Sequence, residues 1–330
     1  MKRLLRILGL LVLLIALGAG GAALYVSTAL PDVDAPSDLN VELTPERIER
    51  GRYLASSLCV CMDCHSTRDW DLFAGPLKPG TFGGGGEKFD RSMQFPGEFY
   101  SKNITPFALS GWTDGEIYRA ITSGISKDGH PFFPVMPYGN YNKLATEDVH
   151  SIIAYLRTLD PIETQPYPAS AIDFPVNLIM RTIPAPAAPM IRPEPGDPAY
   201  GEYVLNAGAC AECHTKSEKG KKIGKPFAGD FVFNLPNGSI VRSSNITPHL
   251  TDGIGAWDKA TFIARFKQYA DSSYAPPKVD WQAGEFQTVM PWMMYANMTE
   301  EDLGAIYDYL SALPPVAGRP EKWTPAPAGS

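Results

Sequence analysis

Four cysteines and two histidines hold the densest chemistry in this 330-residue sequence, as Cys61-Met62-Asp63-Cys64-His65 and Cys210-Ala211-Glu212-Cys213-His214. Two thiols two residues apart, with an imidazole directly after, can add across the two vinyl groups of a haem while the imidazole becomes the proximal iron ligand. The spacing lets one helical turn present both sulfurs along the porphyrin edge and swing the ring beneath the iron. A thioredoxin-like redox pair and half of a zinc site share the Cys-x-x-Cys spacing. A redox pair needs neither the following His nor a second copy, and zinc requires further thiolates or imidazoles near each pair. The expectation is two covalently bound haem c groups, held by Cys61, Cys64, Cys210 and Cys213, with His65 and His214 on iron.

A filled sixth position favours electron transfer, and an open one permits catalysis. Met136-Pro137 lies 75 residues after Cys61, and Met290-Pro291 lies 80 after Cys210. A thioether there stabilises ferrous iron, so Met136 and Met290 are expected as distal ligands; core filling is the competing reading for any Met. Met293, Met294 and His130 are nearby rivals. Trp112 and Trp257 either send an indole N–H to a haem propionate or serve as core. Asn103 and Asn245 are placed to order the loop by side-chain hydrogen bonds. His150 and His249 read as surface residues. Cys59 falls where the first half has ten residues from Gly51 to Cys61 and the second nine from Gly201 to Cys210. It reads as a free thiol, buried or reactive, and a competitor to Cys61 during haem attachment.

The elements that must position these groups come in duplicate. Gly51-Arg52-Tyr53-Leu54 precedes the first motif and Gly201-Glu202-Tyr203-Val204 the second. Asn103-Ile104-Thr105-Pro106 and Asn245-Ile246-Thr247-Pro248 follow, then the tryptophans, the Met-Pro pairs and two acidic helix starts. Landmarks recurring in one order mark an internal repeat. The closing helices carry Val149, Ile152, Ile153 and Leu156, or Leu303, Ile306, Tyr307 and Leu310, on one apolar stripe. Thr146 and Thr299 are expected as their caps. Thr44 and Pro45 announce an opening helix to about Leu54, with its partner beginning near Pro198. The glycine-rich stretches between, such as residues 83–86, suit a loop wrapping a bulky planar group.

The fold expected is all-α: two tandem haem domains at 44–160 and 198–315, joined by a linker over 161–197 whose prolines block regular ladders. Residues 31–43 form a shorter linker, and 316–330 a mobile tail. Residues 1–30 read as a signal-anchor: Lys2, Arg3 and Arg6 precede an uncharged run from Ile7 to Val26, long enough to span a bilayer. A cleaved signal peptide is the alternative. Either exports the remainder, and the anchor makes this a single-pass protein of the cytoplasmic (inner) membrane with its haem domains in the periplasm. The net charge of −7 lacks the basic footprint of a nucleic-acid binder. Taken over the whole chain it permits a basic docking partner without locating one.

On these motifs the chain resembles the class I c-type cytochromes in tandem, and more closely the cytochrome c subunits of membrane-bound bacterial alcohol and gluconate dehydrogenases. The resemblance covers nearly all of residues 44–315. It implies a helical haem-wrapping fold in each half, axial pairs His65/Met136 and His214/Met290, and one-electron transfer from a periplasmic dehydrogenase or quinol pool toward an oxidase or other acceptor. Those subunits typically carry three haem motifs and this chain two, so a generic dihaem relay is the reading adopted, without a catalytic site of its own. A dihaem peroxidase is one rival, but must free an iron for peroxide, whereas each half here offers a Met-Pro. A haem-based sensor is another, and no signalling output domain is evident.

Overall fold

The computed structural model describes residues 1–36, 38–271 and 273–326. Helix α1, Lys2–Ala29, is a 28-residue apolar rod with no buried residue. It is long and apolar enough to cross a membrane. Past its end, Arg181 donates to the Leu30 carbonyl at 2.6 Å, tying the exit of α1 to the proline-rich connector.

Each repeat opens and closes on helices that cross. Helix α2, Pro45–Tyr53, starts as its residues dictate, with Pro45 in the first turn and the Thr44 hydroxyl accepting from Arg47 N at 3.2 Å. It packs on α4, Thr146–Arg157, with α3, Asp114–Ser123, alongside. In the second repeat α5, Tyr200–Ala207, packs on α7, Glu300–Ser311, with α6, Lys259–Lys267, alongside. A Cβ on Gly51 would sit 1.8 Å from the Ser151 carbonyl oxygen, and one on Gly201 2.3 Å from that of Ala305. Only glycine lets the helices cross this closely. Behind the crossings Val149, Ile152, Ile153 and Leu156, and Leu303, Ile306 and Leu310, lie buried in one continuous apolar cluster that spans both repeats. Each such side chain contributes about 1.5–3 kcal/mol relative to exposure.

Thr299 caps α7 as expected, accepting from Asp302 N at 3.1 Å. Thr146 does not cap α4. It is the first helical residue, and the N–H of the cap position, Ala145, donates instead to the Tyr203 hydroxyl at 3.0 Å. That contact belongs to a pseudo-symmetric joint between the repeats. The Tyr203 hydroxyl donates to Asp148 at 2.7 Å, while its repeat counterpart Tyr53 donates to Asp302 and accepts from Thr299 N at 3.2 Å. Asp148, 1% exposed, is also clamped by Arg50 at 2.9 and 3.0 Å and by Arg192 at 2.8 Å. Asp302, 3% exposed, accepts from Tyr200 as well.

The all-α expectation needs amending, because the long loops fold into short strands. Lys88–Phe89 pairs with Gly97–Tyr100, and Val232–Asn234 with Ile240–Arg242. In each repeat the segment after the closing helix returns to add a strand: Ala171–Ile172 to the first sheet, Trp323–Thr324 to the second. The connector is therefore fastened to the first repeat. The C-terminal segment, expected to be mobile, is tied down through Thr324, and Trp323 also donates its indole N–H to Gly284 O at 3.2 Å. Residues 327–330 lie outside the described residues.

Burial alone would raise the Asp148 carboxyl, but the Arg50 hydrogen bonds and charge, with Tyr203 and Arg192, hold it below the ordinary carboxylate value. A carboxyl depressed on folding contributes stability that is complete above the unfolded value of about 4 and is lost as pH falls through the folded one. Tyr203→Phe removes both hydroxyl contacts and is expected to cost about 1–3 kcal/mol at neutral pH. The difference from the wild type should shrink as Asp148 protonates. Urea melts of both proteins at pH 7 and below pH 4 measure it, and a pH-independent difference contradicts the ion-pair account.

Candidate functional site

Both Cys-x-x-Cys-His turns are launched the same way. In the second repeat α5 ends at Gly208, whose N–H reaches Val204 O at 2.9 Å, and Ala209 then turns left-handed at φ 50° into the single turn Cys210–Cys213. In the first repeat Cys59 N reaches Leu54 O at 2.7 Å, one residue further back, and Val60 turns left-handed at φ 47° into Cys61–Cys64. The extra residue of the first repeat is thus absorbed by a π-helical turn over Leu54–Leu58. Cys59 is not the insertion; it stands where the second repeat has Gly208. It is buried in the core, and burial pushes its thiol well above the ordinary value, so it is an inert core residue.

After each turn the histidine is held by its ring. His65 Nδ1 lies 2.7 Å from the Lys102 carbonyl oxygen and His214 Nδ1 2.8 Å from that of Ser244. A carbonyl only accepts, so Nδ1 carries the proton and donates, leaving the Nε2 lone pair for a metal. The two carbonyls sit just before Asn103 and Asn245, which explains that motif. Asn103 Oδ1 accepts from Thr105 N and Oγ1 at 2.8 and 2.7 Å, and its Nδ2 donates to Ile162 O at 2.7 Å. Asn245 repeats this with Thr247 at 2.9 and 2.7 Å and Val316 O at 2.7 Å. Each asparagine thereby pins the carbonyl that orients the ring to the chain beyond the closing helix.

None of the five cysteines forms a disulfide. Desolvation pushes Cys61, Cys64 and Cys210 up to about 12, the reverse of the lowered thiol that a redox-active pair requires. Among the described residues no three His, Cys, Asp or Glu side chains group as a metal cage, which disfavours zinc. Paired free thiols with a tautomer-fixed imidazole beside them fit haem c.

Met136 and Met290 are partly buried, and each carbonyl accepts across the following proline, from Tyr138 N and Trp292 N, both at 2.8 Å. Each opens a short helix, Tyr138–Tyr141 or Trp292–Tyr295. The last tyrosine of each helix, not singled out from the sequence, fastens it to the haem-motif turn: Tyr141 donates to Cys59 O and Tyr295 to Gly208 O, both at 2.7 Å. The signal was available, since both tyrosines stand five residues after a Met-Pro methionine. Met293 and Met294 lie within the second helix where the first has Gly139 and Asn140, so neither has a methionine counterpart. His130 is exposed. Trp112 and Trp257 pack on the apolar core. His150 lies against Tyr118 and Glu147, and His249 Nδ1 accepts from Asp252 N at 3.1 Å.

Residues 198–314 match the family model described as cytochrome c. This segment is similar to a cytochrome c domain. Such a domain carries covalently bound haem c. The chain is 28% identical to the cytochrome c subunit of the quinone-type alcohol dehydrogenase of Gluconacetobacter polyoxogenes, over 92% of this chain and 62% of the relative. It is 28% identical to the fructose dehydrogenase cytochrome subunit of Gluconobacter japonicus, over 86% of this chain and 58% of the relative. A diheme cytochrome c-type protein of Cereibacter sphaeroides is 27% identical over 92% of this chain and 97% of its own length. The chain thus spans about three fifths of the dehydrogenase subunits it matches.

Asn103→Ala removes both ends of the loop tie and is expected to cost about 1–3 kcal/mol. Hydrogen exchange should accelerate at residues 102–105 and 162–164 while 244–247 stay protected. Equal loosening of both repeats contradicts the assignment.

Proposed function

We propose that this chain is a two-haem electron relay of a bacterial respiratory membrane, with haem-holding units over 44–160 and 198–315. The observation that carries this is the duplicated geometry: each Cys-x-x-Cys-His turn has its ring fixed through Nδ1, and each repeat has one methionine at the same place before a tyrosine-anchored helix. In this reading His65 with Met136, and His214 with Met290, would hold the two haem irons. Each haem, when bound, supplies an iron that gains and loses one electron, and thioether ligation favours its ferrous form.

What the chain itself does is hold still. The left-handed residue before each turn sets the thiols, the loop carbonyl sets the imidazole, and the Tyr141 and Tyr295 hydroxyls tie the methionine segments to the turns. If His65 and Met136, and His214 and Met290, held the two irons, neither iron would be open to peroxide and electron transfer would be favoured. Helix α1 holds the relay at the inner membrane with the haem units on the periplasmic side. The names of the relatives, cytochrome subunits of dehydrogenases, support a dehydrogenase as a redox partner; a quinol-oxidising complex, an oxidase or another cytochrome would complete the chain in this reading.

Pyridine haemochrome analysis is expected to find two haems per chain, and EPR two low-spin ferric centres. Met136→Leu and Met290→Leu should each convert one of the two to high spin and lower one midpoint potential in a redox titration. A low-spin spectrum unchanged in Met290→Leu moves the second ligand elsewhere.

A further inference from the structure

The two repeats differ in the loop that follows their haem motifs. In the first repeat this loop is consumed by contacts with the second. Gln287, 1% exposed, accepts from Ala74 N at 2.8 Å and donates to the Trp70 and Leu72 carbonyls, both at 2.9 Å. Phe73 N reaches Pro277 O and Val279 N reaches Asp71 O, both at 2.9 Å. Arg68, three residues after His65, is buried in an ion pair with Asp63 at 2.8 Å.

The corresponding loop of the second repeat is a free-standing hairpin, Ser217–Glu218 paired with Lys221–Lys222. Between positions 216 and 225 it holds five lysines and one glutamate, in a chain whose net charge is −7. Lys216 pairs with Asp230 and Lys222 with Glu212, each at 2.7 Å. Lys219, Lys221 and Lys225 are exposed and, among the described residues, have no carboxylate within ion-pair distance. Ile223 between them is 50% exposed. The hairpin is rooted on Lys216, two residues after His214, whose carbonyl accepts from Ile223 N at 3.0 Å. The Lys222–Glu212 pair lays it against the Cys210–Cys213 turn, where Cys213 is exposed.

We propose that the Lys216–Lys225 hairpin is the docking face for an acidic one-electron redox protein at the second haem site. The proposal rests on the relay reading above. Cationic side chains around an exposed apolar residue steer an acidic partner through complementary potential and then exclude water at the contact. An anionic lipid surface also attracts lysines, but the hairpin is tied to the haem-attaching turn, where a redox partner gains and a lipid does not.

The test uses the full-length haem-loaded protein in phosphatidylcholine nanodiscs, reduced and then oxidised by hexacyanoferrate(III) or by tris(phenanthroline)cobalt(III) across a range of ionic strengths. Net charge alone predicts that salt speeds the anionic oxidant. The hairpin predicts the opposite for the wild type, with the low-salt rate falling roughly tenfold and the salt slope reversing in Lys219→Glu/Lys221→Glu/Lys225→Glu. The cationic oxidant should respond in the inverse sense. Carbodiimide coupling to poly-L-glutamate should place cross-links on Lys219, Lys221 and Lys225. Salt slopes unaltered by the triple substitution, or cross-links falling elsewhere, overturn the docking face. So does protection of those amines from acylation in phosphatidylglycerol nanodiscs but not in phosphatidylcholine ones, which identifies a lipid contact. Absence of haem from Cys210 and Cys213 in the starting protein would instead sink the relay reading itself.

Discussion

The arrangement hangs on two tyrosine hydroxyls that cross from one repeat to the other. Tyr203 meets Asp148 and Tyr53 meets Asp302, and each hydroxyl also satisfies the first free N–H of the helix that carries its partner. A buried carboxylate is costly unless its lone pairs are filled, so the two halves cannot slide or part without Asp148 and Asp302 each losing a hydrogen bond. Burial raises both hydroxyls, reinforced by the facing carboxylates, and this keeps them protonated as donors. The same tyrosines stand two residues after Gly51 and Gly201, where the opening helices touch the closing ones. One short segment therefore sets both the packing within a repeat and the joint between repeats.

From that joint the position of the chemistry follows by rigid steps. Helices α2 and α5 are fixed by their glycine crossings, and they lead, α2 through its π turn, into the left-handed residue and the Cys-x-x-Cys-His turn. The Tyr141 and Tyr295 hydroxyls then tie the methionine-bearing segments to the carbonyls two residues before each first cysteine. A hypothetical Cβ on Gly208 would lie 3.6 Å from Leu58 O and 3.4 Å from Cys210 Sγ. The backbones leading into the two turns therefore meet at the interface, and relative placement of the two turns is a property of the folded pair.

Much of this was legible in the sequence because the chain says it twice. Repetition lifted Asn103 and Asn245, Met136 and Met290, and the glycine–tyrosine pairs above the background, and the apolar stripes of α4 and α7 lie where their spacing places them. What stayed hidden depends on distance across the fold. Thr146 looks like a cap, but the hydroxyl that serves Ala145 N comes from residue 203. The extra residue of the first repeat shows in the sequence only as a count, and a π turn conceals it inside a helix. The tail has no core pattern because Trp323 and Thr324 are held by a strand edge rather than by burial of a stripe. Short strands carry too few residues for period-two alternation to register, which is why the all-α expectation overreached.

Duplication also shows where the halves were free to diverge. Residues that serve the haem turns or the joint recur; the loop after each turn does not, and its fate follows from geometry. The first-repeat loop faces the second repeat and is built for contact, with Gln287 reading its backbone and Arg68 stacked 4.1 Å from the Trp70 ring centre. The second-repeat loop faces solvent, so the same place in the fold carries lysines. Whole-chain charge hides this, because an average of −7 contains a hairpin of opposite sign. A field that steers a partner is set by charges within about a Debye length of the contact, roughly 8–10 Å in physiological salt. The sign that matters for docking is therefore that of the hairpin beside Cys213. A chain whose first repeat is covered on this side and whose second is open is polar in its architecture, even though its two Cys-x-x-Cys-His turns are built alike.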